Sequence, residues 1–279
     1  MTRLAVTGYA SLDYVMQLDG RVAPDQTTTG RRADAAWPRV GGCPSYIAKA
    51  VARAGGAVDP VMWVGADAMG AMLTDDLRKA GVGTDAVAVI DGARSPSALM
   101  VYQGDESCAV LFDPGLAGAE ALNEAQRAAI ATASHLCISV GPPQLIAEIL
   151  ELRAPEARLY WAVKNDPACF TPDIITRLRA EADVIFCSRA ERGLVGDTAA
   201  MVVQTLGPSG VQIDTAARRV SLPVKPIATP DTTGAGDTFA GGVIAAEMAG
   251  PCAPEQAAQA GIAAAATMLT ARQQEATTQ

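Results

Sequence analysis

The sequence predicts an α/β protein built on a largely parallel sheet with helices on both faces. Apolar runs of strand length alternate with amphipathic helical patterns from one end to the other, as βαβ units require. Of 279 residues, 49% are hydrophobic and 19% charged, so a large core can form without disulfide support. The six cysteines (43, 108, 137, 169, 187, 252) form no CxxC pair and read as reduced thiols, not as a metal site or a disulfide frame.

"RLAVTG" (3–8) predicts the first strand, and "PSYIAKAVARAGG" (44–56) a helix that stops on glycine. "DPVMWVG" (59–65) predicts a strand and "DAMGAMLTDDLRKAG" (67–81) a helix. The alternation continues through strand "HLCISVG" (135–141), helix "PPQLIAEILELR" (142–153) and strand "ARLYWAV" (157–163). Helix "DIITRLRAEA" (173–182) and strands "DVIFCS" (183–188) and "MVVQTLG" (201–207) follow. Residues 13–40 and 95–113 break the rhythm with extended segments and hairpins, which predicts a small separate sheet over a site. An Ala-rich helix is expected at 253–271, with the tail "QQEATTQ" frayed.

Charge and motif content exclude several functions. A net charge of −8 argues against nucleic acid or an anionic membrane as the main partner. Glycine and aspartate arrive too early for a signal peptide, and no apolar run spans a membrane, so a soluble cytoplasmic protein is expected. There is no P-loop, no dinucleotide fingerprint after the first strand and no zinc spacing. The only histidine, His135, opens an apolar strand and is read as structural.

One stretch stands out. In "PDTTGAGDTFAGG" (230–242), a Gly-rich loop runs into an apolar helical pattern and carries a carboxylate, Asp237. Helix N-termini present unpaired N–H groups and attract anions, and glycine lets a phosphate approach the backbone. An Asp there is either a helix cap or a base built into an anion site. Its companions favour the second reading. "TLGPSG" (205–210) offers another glycine turn after a strand, "GGCPSY" (41–46) places two glycines before a helix, and "GYASLD" (8–13) puts Ser11 and Asp13 past the first strand. Ligands of open parallel sheets gather at such carboxyl ends.

These segments, in this order, resemble the ribokinase-like (PfkB-type) carbohydrate kinase family over nearly the whole chain. "DTTGAGDTFAGG" is the most specific match, supported by "GYASLD", "GGCPSYIAKAVARAGG", "WVGADAMGAMLTDDLRKAGV" and "TLGPSG". The resemblance implies a single domain over 1–279: a three-layer α/β/α sandwich plus a small β lid, at about 14–40 and 95–113. It implies ATP-dependent transfer, with Mg2+, to a hydroxyl of a sugar or sugar-like alcohol. Asp237 is then the base, with Gly234, Ala235 and Gly236 as anion hole. Ser11, Asp13, Gly41, Gly42 and Tyr46 would meet the acceptor, and Ser188, Thr205, Gly207 and Gly210 the nucleotide. Glu191 would help organise magnesium through water, and Asp231 and Thr233 match positions that contact a monovalent cation in some members. The segment completing that cation site has no clear match in "TMLTARQQEATTQ" (267–279), which argues against potassium.

There are departures. Tyr46 stands where the family usually has an asparagine touching the sugar, Ser188 replaces the Asn of Asn-x-x-Glu, and Ser11 replaces a frequent Asn. The acceptor is therefore expected to differ from ordinary ribose. Tyr46 either stacks on a ring, which favours a nucleoside acceptor, or packs under the lid. Arg31, Arg32 and Arg39 are read mainly as exposed lid charges, with contact to an anionic acceptor as the alternative. A non-catalytic binding relative is the remaining alternative, and a homodimer through the lid is expected.

Overall fold

The computed structural model describes residues 2–104, 107–116, 118–229 and 231–277. Positions 105 and 106 of the 95–113 segment and the last two of the C-terminal tail lie outside the described residues. In chain order the first elements are β1 (Arg3–Thr7), β2 (Ser11–Leu18), β3 (Gly30–Arg32), β4 (Arg39–Gly41) and α1 (Cys43–Arg53). Next come β5 (Ala57–Gly65), α2 (Ala68–Lys79), β6 (Val87–Ile90), β7 (Ser97–Tyr102), β8 (Cys108–Asp113) and α3 (Glu124–Thr132). The central alternation is β9 (His135–Ile138), α4 (Pro143–Leu152), β10 (Arg158–Ala162), α5 (Pro172–Glu181) and β11 (Val184–Ser188). The chain closes with α6 (Arg192–Val195), β12 (Met201–Thr205), β13 (Val211–Asp214), β14 (Arg219–Leu222), α7 (Ala235–Ala249) and α8 (Pro254–Thr277).

Nine strands form one sheet in the order β14-β13-β12-β11-β10-β9-β1-β5-β6. The pairings from β12 through β6 are all parallel, and only the β12–β13 and β13–β14 pairings are antiparallel, so β13 alone is reversed. Side chains alternate across this sheet. Leu4 and Val6 of β1 pack with Ile47, Leu73, Phe239 and Val243 of the helices on one face. Ala5 packs with Ile130, Ile149 and Leu178 of α3, α4 and α5 on the other. Strands covered on both faces read as continuous apolar runs, which explains "LYWA", buried throughout. Each large apolar side chain buried in this way contributes about 1.5–3 kcal/mol of transfer free energy.

Because these strands are parallel, their carboxyl ends open on one edge. Thr7, Ile138, Ala162, Ser188 and Thr205 all end there. The second sheet joins β3-β2-β7-β8, with β4 also on β2. It is mixed: β2 runs parallel to β7, while β3, β4 and β8 are antiparallel to their neighbours. A short 3₁₀ turn at Asp34–Ala36 interrupts its first half.

The C-terminal helix departs from expectation. α8 runs to Thr277 instead of fraying after 271, because Arg272 on its last turns is 7% exposed and docks on the loop before α7. All six cysteines are free. Among the described residues, no helix is long and apolar enough to cross a membrane.

Candidate active site

The site is assembled at the start of α7. Three other helices close their first turns with side chains: Asp67 accepts from the Gly70 N–H at 2.7 Å, Asn123 and Gln126 form a reciprocal box, and Thr171 caps α5. α7 has no side-chain cap. Its N-cap is Gly234 in the left-handed region (φ +75°), and a Cβ there would collide with the Tyr46 ring. Glycine is thus demanded by backbone and packing together. The N–H of Ala235 donates to the Thr232 carbonyl at 3.0 Å. Gly236 and Asp237 follow in the first turn, where amides have no i−4 carbonyl within the helix.

Asp237 is 6% exposed. Its Oδ1 lies 3.3 Å from Nζ of Lys164, which stands just beyond β10 with its side chain 35% exposed. Burial works against charge on Lys164, but Asp237, Cys43 and Glu191 outweigh it and hold its pKa above the ordinary lysine range. Burial and the Asp237 carboxylate push the Cys43 thiol well up, so it stays protonated beside Asp237. Beyond β11, Glu191 Oε2 accepts from the Ser188 N–H at 2.7 Å. Among the described residues there is no cluster of three or more His, Cys, Asp or Glu to enclose a metal. One carboxylate at the strand ends still fits magnesium, which usually keeps several waters and binds chiefly through phosphates.

Asp13 lies on β2, 3% exposed. Its Oδ1 accepts from Ser11 Oγ at 2.6 Å. Gly41 on β4 pairs opposite Ser11, and a Cβ on it would overlap the Asp13 carboxylate. Gly42 (φ +86°) follows, with the Tyr9 carbonyl and Ala10 pressed against it. Burial raises the Asp13 pKa to about 6, against the Ser11 bond and Arg39, which lower it. Tyr46 on α1 is 6% exposed; its ring lies under Gly234 and its hydroxyl accepts from Arg272 Nη2 at 3.2 Å. This packing makes it a support of the loop instead of an open face for stacking. "TLGPSG" forms the tight turn from β12 to β13, closed by Leu206 N–H on the Gly210 carbonyl at 2.8 Å. Thr205 Oγ1 is 3.5 Å from the Cys187 carbonyl, and Gly207 is exposed at the same edge as Ser188.

Asp231 and Thr233 are tied to the second sheet, through β4 and β7, and to α8. Arg39 Nη1 pairs with Asp231 Oδ2, and Arg272 Nη1 lies 3.7 Å from the same oxygen. Asp231 Oδ1 accepts from the Thr233 N–H at 2.9 Å, and the Tyr102 hydroxyl is 2.9 Å from Thr233 Oγ1. Burial opposes ionisation of Asp231, but Arg272 and Arg39 overcome it and hold its pKa below the usual range. Arg39 is therefore an inward, half-buried charge, whereas Arg32 pairs with Asp34 in solvent. Lys164, Arg272 and Tyr102 stand in none of the motifs that mark the site in the sequence. Lys164 had a faint signal, a lone lysine ending the apolar run "ARLYWAV"; the partners of Arg272 lie 39 to 226 positions away.

The carboxyl edge of the sheet thus brings a buried carboxylate, a lysine and an open helix N-terminus together, an arrangement suited to an anionic ligand. The pfkB family carbohydrate kinase profile matches residues 1–278, and the chain belongs to that family; it is a ribokinase-family phosphotransferase. Ribokinase of Bacillus subtilis (strain 168) is 26% identical over 254 residues, covering 86% of this chain and 83% of that protein. Ribokinase of Cryptococcus neoformans var. grubii serotype A, solved with ADP, superposes with a TM-score of 0.82 at 22% identity, covering 95% of this chain and 93% of that one. A Burkholderia thailandensis nucleoside kinase solved with inosine gives 0.77 at 20% identity, covering 94% and 90%.

Proposed function

We propose that this kinase moves the γ-phosphoryl group of ATP to a hydroxyl of a sugar or sugar-like alcohol, with Asp237 as general base. The observation carrying this reading is Asp237 itself, a buried carboxylate in the first turn of an uncapped helix, with the Lys164 ammonium 3.3 Å from its Oδ1. Acceptor hydroxyls donate to Asp13, which orients one of them toward Asp237. Asp237 takes its proton as the oxygen attacks the γ-phosphorus, the bond to the β-phosphate oxygen breaks, and ADP leaves. Charge on the transferred group falls to the N–H groups of Gly234, Ala235 and Gly236. The Ala235 N–H closes the turn onto the Thr232 carbonyl, a bond that a phosphate bound at this amide would replace. Lys164, just beyond β10, offers the same group a positive charge.

Ser188, Thr205, Gly207 and Gly210 hold the nucleotide along the ends of β11 and β12, in keeping with the ADP reported for the Cryptococcus relative. Glu191 would hold the water shell of magnesium bound with ATP, which would supply neutralisation of the phosphate charge. The nucleoside reading rested on a free Tyr46 ring; with that ring under Gly234, the sugar-like acceptor leads. The lid is the second sheet, and exposed Val110 and Leu111 on its edge strand β8 suit pairing with a second copy.

An ADP-release screen over sugars, polyols and nucleosides with magnesium and ATP is expected to reveal an acceptor. Silence across the panel, with tight calorimetric binding of one ligand, would favour a binding relative instead. In the active pair, Asp237→Asn is expected to lower kcat about 10²–10⁴-fold with nucleotide affinity retained. Turnover within a few-fold of wild type would reduce Asp237 to a cap.

A further inference from the structure

The loop that presents the anion hole is pinned from behind by a buried cation. Arg272 on α8 reaches into the turn before α7, its side chain 8% exposed. Its Nη1 donates to the Thr233 carbonyl and stands 3.5 Å from the Asp231 carbonyl, and its Nη2 donates to Tyr46. Its charge centre lies 5.7 Å from the centre of the Tyr46 ring, the ring that supports Gly234. A carboxylate and two backbone carbonyls thus converge on one positive centre directly before the helix start. Family resemblance would put a monovalent metal ion at Asp231 and Thr233. The residues present do not fit one, because a guanidinium stands at those oxygens and a second, from Arg39, holds the same carboxylate. A further cation would displace Arg272 or be repelled by two fixed charges.

We propose that Arg272 is a built-in replacement for a monovalent cation, a positioning residue whose guanidinium holds the loop 231–234 and makes the enzyme indifferent to potassium and sodium. The proposal rests on the phosphoryl-transfer reading only for its kinetic arm. A fixed guanidinium brings its charge with the fold, whereas a metal ion must be recruited from solution. Its planar fork also suits two carbonyls and a hydroxyl at once. Removing it leaves the Thr233 and Asp231 carbonyls facing each other's partial charge without a cation, so the turn shifts and the N–H groups lose their aim.

The test compares potassium, sodium and choline chloride at one ionic strength, reading kcat, ADP affinity by calorimetry and Tm. For the wild-type protein all three are expected to be unchanged across the salts. Arg272→Met is expected to lower kcat about 10²-fold, the scale of a small misplacement of reacting groups. Guanidinium ion at low millimolar concentration, or potassium, should restore part of the loss; a merely structural arginine gives no such rescue. If Arg272→Met does not fold, Arg272→Lys, which keeps the charge but loses the fork, is read in the same way. Potassium raising wild-type kcat, ADP affinity or Tm well above the choline values would overturn the proposal, as would a variant indistinguishable from wild type. If no acceptor is phosphorylated in any salt, the phosphoryl-transfer reading fails alone, and ADP affinity and Tm across the salts still decide the role of Arg272.

Discussion

Asp13 is a buried carboxylate that costs the fold stability at neutral pH, and its removal should show how much. Burial lifts its pKa from 3.8 to about 6, even though Ser11 donates to it and Arg39 lies near. A folded state that holds this proton more tightly than the unfolded chain is favoured at low pH. The contribution is full below pH 3.8 and is lost as pH rises through about 6. A shift of roughly two units corresponds to about 3 kcal/mol lost at pH 7. Asp13→Asn keeps the shape and an oxygen for Ser11, and it carries no charge to desolvate. Of the charges facing it, Arg39 is held above the usual arginine range and Asp231 below the usual carboxylate range, so neither titrates across pH 5–8. The variant should therefore lie closest to wild type below pH 3.8 and gain stability relative to it as pH rises, by roughly 5–10 °C in Tm at pH 7.5. Melting curves of both proteins at half-unit pH steps measure the offset. An offset that stays flat with pH, or a variant less stable at pH 7.5, would refute the reasoning. Steady-state kinetics complete the test: the same variant should raise acceptor KM strongly, because a carboxylate kept against the interest of stability is kept for binding.

Other outcomes follow from the same geometry. Lys164→Met should lower kcat about 10²–10³-fold with little change in acceptor KM, since it removes a charge aimed at the transferred group; an equal rise in KM alone would assign Lys164 to ground-state binding. Glu191→Gln should raise the magnesium concentration needed for half-maximal rate, and an unchanged magnesium titration would leave Glu191 as the partner of the Ser188 amide only. Light scattering should report a dimer, and Val110→Lys with Leu111→Lys should convert it to monomer without unfolding; a wild-type monomer would dismiss the lid contact.

The sequence by itself determined the layers and the edge to which the candidate site is assigned. Apolar runs such as "LYWA" alternate with helical patterns because each strand is covered on both faces, and periodicity is a local property of the chain. Asp237 and its glycines were legible for the same reason: a helix start, a left-handed Gly234 and a carboxylate in the first turn all lie within a few residues. What only the tertiary structure decided are contacts between distant segments. Tyr46 reads as a helix residue until Gly234, 188 positions later, is found resting on its ring. Arg39 looks like a solvent charge until Asp231 is brought to it, and Arg272 lies in an Ala-rich helix with no local partner to announce its role. Lys164 and Asp237 meet only because β10 and α7 open at the same edge. Burial and charge pairing are properties of the packed chain; they set which carboxylates stay ionised, and no window of sequence carries that information.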